Sequence, residues 1–330
     1  RMAVENGGLE VTDEYHPFTN PDGFRIPDSY LQTVHFEEQF SKQLLGIATK
    51  YDVNYFREDF WFWDKINSPE LEIYQFDLQY PHDKDGKTFT SKVCLFGSTY
   101  TLNDNDWLDQ TVEDHHAVVR INSELINDHM WNGQREKIFE NENPGDNSNL
   151  IHGLNNLYVS LPGVDGVEHE QVLLDYFDVT YWREYKTDTD YMTFTKPEDK
   201  PLGLFQFELS NFSNNNVSVY KRNSGIIENL QIESFLEEGG APYIVTFQDS
   251  VLSENTSYCA ITEAEKKIPI LVKPDIPSGT PYFSLKDPSN SADYLIVTIN
   301  EFAEYESTLE LRNFWISKGV DTSIIDIQDI

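Results

Sequence analysis

The sequence predicts a mainly β protein with two successive β-sandwiches, a jelly-roll followed by an immunoglobulin-like domain, and a short α/β segment at its end. Aromatic residues make up 14% of the 330 residues, and aromatic side chains are favoured in strands. Many short apolar runs are separated by polar turns and no long helical pattern interrupts them, which is typical of antiparallel sandwiches. The predicted segments are 1–47 (arm and lead-in), 48–187 (jelly-roll), 188–268 (immunoglobulin-like), 269–291 (linker) and 292–330 (α/β start).

The first segment is polar and rich in turn residues up to position 30, with prolines at 17, 21 and 27. We expect it to form an arm that lies on a neighbouring domain. Residues 31–47 mix the strand and helix periods, so a strand and a short helix both remain open there.

The jelly-roll segment begins its clearest strand at residues 71–80, LEIYQFDLQY. Alternate residues from Glu72 to Tyr80 are the more apolar set, and we expect that set to face the core. Turn clusters such as HDKDGK and NENPGDNSN separate the further strands of this segment.

The immunoglobulin-like segment contains short strand patterns with turns at Asn214-Asn215 and Gly239-Gly240. Residues 269–291 then carry prolines at 269, 274, 277, 281 and 288, which indicates an extended linker.

The last forty residues predict a strand, a helix and a second strand. Residues 294–299 and 320–327 are β-rich, and between them apolar residues recur at helical spacing up to Trp315. Gly319 stands where a helix C-terminus favours a residue that accepts positive φ. One β-α-β unit cannot bury its own apolar faces, so we expect this chain to be the front part of a longer polypeptide that continues the α/β domain.

Charge excludes one class of partner. The chain has 24 basic and 57 acidic residues, a net charge of −33, whereas nucleic-acid binding needs a basic surface. No apolar run is long enough for a membrane span, and the polar start does not resemble a signal peptide. The scattered carboxylates favour a solvated surface suited to extracellular water, where counterions screen repulsion.

Calcium is the alternative use of the acidic loops. Carboxylates in HDKDGK and NDNDWLDQ could converge on Ca²⁺, which prefers several oxygen ligands. We favour solvated turns and leave a structural calcium ion open; the residues concerned are Asp83, Asp85, Asp104, Asp106 and Asp109. The two cysteines, Cys94 and Cys259, fall in different predicted domains and are expected to be buried side chains rather than a disulfide.

Three other groups invite a functional interpretation. His115 and His116 follow Asp114, but neighbours in a strand point to opposite faces, so we favour packing over a shared metal. Asn211, Asn216 and Asn255 begin glycosylation triplets, which Asn-rich strands also produce by chance. Several tryptophans could form a sugar-stacking platform, although core packing is favoured; they are Trp61, Trp63 (on one face by spacing), Trp107, Trp131 and Trp182.

Several segments in fixed order resemble the region that precedes the catalytic domain in gingipain-like cysteine peptidases, peptidase family C25. The family includes the sortase of the bacterial type IX secretion system. The matching segments are HFEEQ (35–39), FWFWD (60–64), DHHAVVRIN (114–122), LIHGLNNLYVSLPG (150–163), VLLDYFDVTYWREY (172–185) and ADYLIVTINEF with LELRNFWISKGVDTSIIDIQDI (292–302 and 309–330).

The resemblance implies that residues 292–330 open a caspase-like α/β peptidase domain. The family's catalytic pair, a His followed by Gly and a Cys at the ends of successive strands, would lie beyond Ile330. His152-Gly153 falls in a sandwich turn, and neither Cys94 nor Cys259 matches the nucleophile. We therefore assign no catalytic, cofactor-binding or metal residue to this chain.

The resemblance predicts the non-catalytic N-terminal region of a secreted or cell-surface cysteine endopeptidase or type IX secretion sortase. This region would scaffold or dock the peptidase domain, with the remainder of its own polypeptide, a bound subunit or an outer-membrane secretion partner as its contacts. The alternative is an adhesive or carbohydrate-binding surface protein without protease activity. A processed subunit that ends at Ile330 and is held by its partner is a third possibility.

Overall fold

The computed structural model describes residues 12–14, 23–42, 60–84, 86–99, 113–267 and 291–327. The chain separates into two compact units, Arg1–Lys266 and Lys267–Ile330. The described part is mainly β and consists of several sheets, which confirms the predicted fold class at that level. The proline-rich linker lies outside the described residues except for Ser291.

Within the described residues of the first unit, the strands are numbered β1 to β20 along the chain. The first eleven are β1 (Thr12–Glu14), β2 (Ser29–Glu37), β3 (Ser41–Lys42), β4 (Trp61–Phe62), β5 (Asp64–Asn67), β6 (Leu71–Leu78), β7 (Thr88–Gly97), β8 (His115–Ile121), β9 (Glu124–Trp131), β10 (Glu136–Glu140) and β11 (Gly145–Asp146). The next nine are β12 (Gly153–Ser160), β13 (Gln171–Glu184), β14 (Tyr191–Thr195), β15 (Gly203–Phe212), β16 (Val217–Lys221), β17 (Gly225–Ile227), β18 (Gln231–Ser234), β19 (Tyr243–Val251) and β20 (Ser257–Thr262). Single 3₁₀ turns occur at Asn147–Asn149 and Glu263–Glu265.

The first hydrophobic core lies between two sheets. One sheet has the order β10-β7-β13-β2, with β11 paired to β7 and β5 paired to β13; the other has the order β6-β12-β8-β9. The alternation predicted for residues 71–80 is confirmed through β6, since Tyr74, Phe76 and Leu78 are buried whereas Leu71 and Ile73 are exposed.

The long strand β13 contributes alternate buried side chains to this core. A β-bulge between Leu174 and Phe177 shifts the register, and from there Phe177, Val179 and Tyr181 face inward with at most 1% exposure. The partner strand β2 pairs with β13 along its whole length. Part of the predicted lead-in therefore forms a strand, one of the two outcomes that its mixed pattern left open.

The second core lies between the sheet β1-β17-β16-β20-β14 and the sheet β15-β19-β18. It is built largely from aromatic rings, such as Phe194 stacked on Tyr258 at 5.2 Å and Phe207 stacked on Phe247 at 5.1 Å. From the arm, β1 pairs in parallel with β17 at the edge of this core. The jelly-roll and immunoglobulin-like assignments and the domain boundaries stay predictions.

The second unit contains β21 (Tyr294–Thr298), α1 (Asn300–Ala303), α2 (Glu306–Ser317) and β22 (Thr322–Asp326), and the two strands pair in parallel. This is the β-α-β order that the periodicity predicted. Gly319 has φ +80° and its amide donates to the carbonyl of Ile316, so the helix ends with the left-handed residue expected there.

Candidate docking site and the other predicted site residues

The β21–β22 pair has an exposed apolar face. Tyr294 packs its ring 5.0 Å from Trp315 of α2, so that side of the pair faces the helix. Because side chains alternate along a strand, Leu295 and Val297 point to the opposite side, where they are 52% and 48% exposed. Val297 lies beside Ile325 of β22 in the register, and Ile325 is only half-buried.

The helix α2 carries further exposed apolar side chains. None of its residues is buried, and Phe314 is 53% exposed. Leu311 and Ile316 are also exposed, as are Phe302 and Tyr305 just before the helix. Fully burying one such side chain stabilises a fold by about 1.5–3 kcal/mol relative to leaving it exposed. Several apolar side chains of this unit therefore do not provide that stabilisation in full. We refer to Leu295, Val297 and Ile325 together as the bare sheet face.

The two neighbouring histidines occupy opposite faces of β8, as the strand pattern predicts. His115 is fully buried and its Nε2 donates to the carbonyl of Thr99 at 3.1 Å. Burial lowers the pKa of His115 to about 4, although the bond to Thr99 opposes the shift. His116 is half-buried on the outer face, with Nε2 2.7 Å from the carboxylate of Asp128. The two rings are not positioned to share a metal.

A buried carboxylate beside these histidines was not predicted from the sequence. Glu170 is 4% exposed and accepts a hydrogen bond from the backbone amide of His116 at 2.6 Å. Burial raises the pKa of Glu170, and the bond from His116 only partly offsets the effect. Glu170 lies in a polar stretch just before β13, so nothing in the local pattern distinguished it from a solvated residue.

The described tryptophans do not form a common platform. Trp63 packs against the first core, stacked on Phe177 at 5.5 Å, and Trp131 is 5% exposed. Trp182 lies under the ammonium of Lys87, and Trp61 is 40% exposed beside Lys42. The expectation that Trp61 and Trp63 share a face is wrong, because the chain bends at Trp63 between β4 and β5. Trp107 lies outside the described residues.

The calcium prediction falls largely on residues that the structure does not describe. Asp83 is exposed, whereas Asp85, Asp104, Asp106 and Asp109 lie outside the described residues. Among described residues, a different set of potential ligands comes together, namely Cys94, Glu136 and Asp175, whose ligand atoms lie within 4.8 Å of one another. A thiol is a poor ligand for calcium, so this set does not correspond to the predicted site.

The two cysteines are not joined in a disulfide. Cys94 is buried, and its thiol also donates a hydrogen bond to the carboxylate of Asp175 at 3.5 Å. Cys259 is half-buried in β20, and burial raises the pKa of its thiol, which is the opposite of what activates a nucleophile.

In two of the three glycosylation triplets the asparagine is exposed to solvent, whereas the side chain of Asn211 is engaged in hydrogen bonds. The side-chain nitrogen of Asn211 donates to the hydroxyl of Tyr80 at 2.8 Å and to the carbonyl of Thr187 at 2.9 Å. Asn216 and Asn255 are exposed in loops.

His152 is the one histidine of the chain that precedes a glycine. Like Asn211, it contacts Tyr80 and Asp188. Its ring stacks on Tyr80 at 4.0 Å, and its Nε2 lies 3.0 Å from the carboxylate of Asp188. These contacts join the two sandwiches. No local pattern indicated them, because Tyr80 and Asp188 are 108 residues apart.

Comparison with known proteins supports the architecture. The fold is similar to that of dimeric latent PorU from Porphyromonas gingivalis, with a TM-score of 0.56 at 10% identity, covering 91% of this chain. The chain spans 26% of the length of that protein. A carbohydrate-binding module, CBM36 in complex with calcium and xylotriose, aligns at 12% identity over 35% of this chain with a TM-score of 0.21, which does not indicate a shared fold.

No family model and no curated protein matches the sequence. In the part of the chain that the structure describes, no helix has both the length and the apolar character needed to cross a bilayer.

Proposed function

We propose that this chain is the non-catalytic N-terminal region of a gingipain-like cysteine endopeptidase or type IX secretion sortase. In this function the two sandwiches scaffold the peptidase domain, and the unit that contains β21 and β22 begins it. The observation that carries the proposal is the bare sheet face, because all-parallel sheets occur almost only where both of their faces are covered. The fold likeness to PorU and the ordered sequence segments support the same assignment.

The occupant of the bare sheet face is then a further layer of the same α/β domain, or a subunit that supplies it. Leu295, Val297 and Ile325 would pack against helices on that side, as Trp315 packs on the other. The catalytic His and Cys would lie in those further layers, and the positions of His152, Cys94 and Cys259 in the sandwiches are consistent with a scaffolding role. A secreted or cell-surface location follows from the same proposal.

The first experiment is the intact mass of the natural polypeptide and of any complex that it forms. The chain accounts for 38.3 kDa. We expect a larger polypeptide, or a complex with a second subunit, whose added sequence places His-Gly and Cys at the ends of successive strands. A protein of about 38.3 kDa that purifies alone as a stable monomer would contradict the proposal.

The second experiment places a charge on the bare sheet face of the natural protein. Val297→Asp should expose the α/β domain to limited proteolysis and reduce thiol-dependent peptidase activity, since a buried unpaired carboxylate is costly. The control is Asn313→Asp, which adds the same charge at an exposed position of α2. Equal effects of the two substitutions would show that the bare sheet face is not a packing surface.

A further inference from the structure

Three potential metal ligands from three adjacent strands meet on one face of the first sandwich. They are Cys94 of β7, Glu136 of β10 and Asp175 of β13, whose sulfur and carboxylate oxygen atoms lie within 4.8 Å of one another. We refer to these three residues as the outer-face cluster. The cluster shares no residue with the bare sheet face, and an inference from it does not depend on the proposed peptidase role.

The register of β7 and β10 places two of these side chains together. Val93 and Leu95 belong to the first core, so Cys94 between them points to the opposite, outer face of the sheet. Phe139 of β10 also faces the core, so Glu136, three residues earlier, points outward as well. Glu136 is the diagonal neighbour of Cys94 in the register, a separation that a long side chain spans.

The β-bulge of β13 brings the third ligand opposite the thiol. Between Leu174 and Phe177 this strand has two residues, Asp175 and Tyr176, where β7 has only Cys94. A bulge changes the direction of a side chain and is over-represented beside functional sites. The carboxylate of Asp175 is thereby directed at the thiol, with Oδ2 3.5 Å from Sγ, although Asp175 is only 6% exposed.

The distance between sulfur and oxygen agrees with the geometry of a zinc site. Zinc binds thiolate sulfur at about 2.3 Å and carboxylate oxygen at about 2.0 Å, usually as a tetrahedron. Two such ligands at the tetrahedral angle are about 3.5 Å apart, which is the separation of Cys94 and Asp175. The same separation fits the thiol hydrogen bond, which a bound ion would replace. Glu136 is exposed, so the ion would keep a position open to water.

The mixed donor set selects the metal. Calcium and magnesium prefer oxygen ligands alone, whereas Zn²⁺ accepts both thiolate and carboxylate. The neighbouring phenol reports the same concentration of negative charge. Burial raises the pKa of Tyr176 to about 12, and the charges of Cys94, Glu136, Asp178 and Asp175 act in the same direction. A divalent cation would neutralise much of this charge.

We propose that the outer-face cluster binds one Zn²⁺ through the sulfur of Cys94 and through carboxylate oxygens of Asp175 and Glu136. The ion replaces the thiol proton, which passes to solvent, and no electron is transferred. Bound zinc joins β10, at one end of the sheet order, to β7 and β13. Because the unfolded chain does not hold these ligands together, zinc binding stabilises the folded chain.

The test is cobalt substitution in the full chain after treatment with a chelator. Co²⁺ occupies zinc sites, and a cobalt–thiolate bond gives a near-ultraviolet charge-transfer absorption that carboxylate ligands alone do not give. We expect one Co²⁺ per chain with this absorption, its displacement by Zn²⁺, and a higher melting temperature in the presence of Zn²⁺.

Two results would overturn the proposal. One is the absence of tight cobalt or zinc binding. The other is binding without the sulfur absorption, which would place the ions on surface carboxylates of a chain whose net charge is −33.

The two cysteines provide a matched pair of variants. Cys94→Ser should abolish the sulfur absorption, because it removes the thiolate of the outer-face cluster. Cys259→Ser removes the other free cysteine of the chain, in the second sandwich, and should retain the absorption and the stoichiometry. An absorption that persists in Cys94→Ser would contradict the assignment.

A second pair of variants keeps the proposal testable if Cys94→Ser does not fold. Glu136→Gln alters an exposed side chain and should weaken cobalt binding by at least about tenfold, because removing a group that only hydrogen-bonds to a ligand already costs about 10–100-fold. Glu140→Gln, also exposed and in the same strand, should leave the affinity unchanged. Equal affinities of the two variants would exclude Glu136 as a ligand and with it the three-ligand site.

Discussion

Gly97 in β7 and His115 in β8 approach each other so closely that a Cβ atom at position 97 would lie 2.4 Å from Nε2 of His115. The same Cβ would lie 2.6 Å from the carbonyl oxygen of Gly133. The two strands belong to opposite sheets of the first sandwich, so a glycine is what allows the sheets to close at this end. The buried imidazole then packs on Trp131, with ring centroids 4.9 Å apart.

Gly97→Ala should therefore destabilise the first sandwich. The added methyl group meets a backbone oxygen as well as a side chain, so rotation of His115 alone cannot relieve it, and overpacking of this kind costs about 1–3 kcal/mol. Thermal unfolding measured by calorimetry tests the prediction. Thr90→Ala in the same strand is exposed and should change stability by less than about 0.5 kcal/mol.

His115 should make the protein less stable in mild acid. The buried ring has its pKa lowered to about 4, whereas the unfolded chain takes up the proton near 6.5. The unfolded state therefore binds more protons between these values, and stability is lost as pH falls from about 6.5 to about 4. The full effect of this group is about 3 kcal/mol.

The measurement is the free energy of unfolding between pH 7.5 and 4.5 for the wild type and for His115→Gln. The variant should lose this part of the pH dependence, whatever its stability at neutral pH. His129→Gln, at an exposed position of β9, should keep the wild-type slope. Parallel curves for the wild type and His115→Gln would contradict the burial argument.

Glu170 should have the opposite pH dependence. Its pKa is raised in the folded state by burial, so the folded protein binds this proton more tightly than the unfolded chain. Its ionisation opposes folding as pH rises above the ordinary range of a glutamate. Glu170→Gln retains an oxygen that can accept from the His116 amide and removes the buried charge.

We therefore expect Glu170→Gln to unfold at a higher temperature than the wild type at pH 7, with a difference that shrinks as pH approaches the pKa of free glutamate. Glu168→Gln is the matched control, since Glu168 is exposed two residues away. A lower melting temperature for Glu170→Gln at neutral pH would show that the carboxylate contributes more through its bonds than its burial costs.

Sequence periodicity predicted those features that depend on neighbours along one strand or helix. The inward set of β6, the opposite directions of His115 and His116, and the helix end at Gly319 all follow from the geometry of a single element. Contacts between distant segments had no such signal. Tyr80 bonds to Asp188, and Gly97 meets His115 across the core, so only the folded chain identifies these contacts.

The direction of the Trp63 side chain does not follow from its spacing in the sequence. Spacing places Trp61 and Trp63 on one face of a continuous strand, but the chain bends at Trp63. Trp63 then turns toward Phe177 in the core, and Trp61 stays exposed. Tertiary packing decided the direction of the second ring, and a sequence pattern does not contain that information.

Asp249 should be the most sensitive charged residue of the second sandwich. It is 2% exposed, accepts a hydrogen bond from the buried hydroxyl of Tyr258, and lies 3.0 Å from the ammonium of Lys221. Removing one partner of such a buried set leaves the others without their charge or acceptor. Asp249→Ala should therefore destabilise the protein by about 3–5 kcal/mol.

Tyr258→Phe removes only the hydroxyl and keeps the ring stacked on Phe194, so we expect a smaller loss of about 1–2 kcal/mol. Asp249→Asn retains an acceptor for Tyr258 but gives up the charge that faces Lys221, and should fall between the two. Urea unfolding of the three variants orders them. If Asp249→Ala were no worse than Tyr258→Phe, the ion pair with Lys221 would add nothing to stability, because the hydroxyl contact alone would account for the loss.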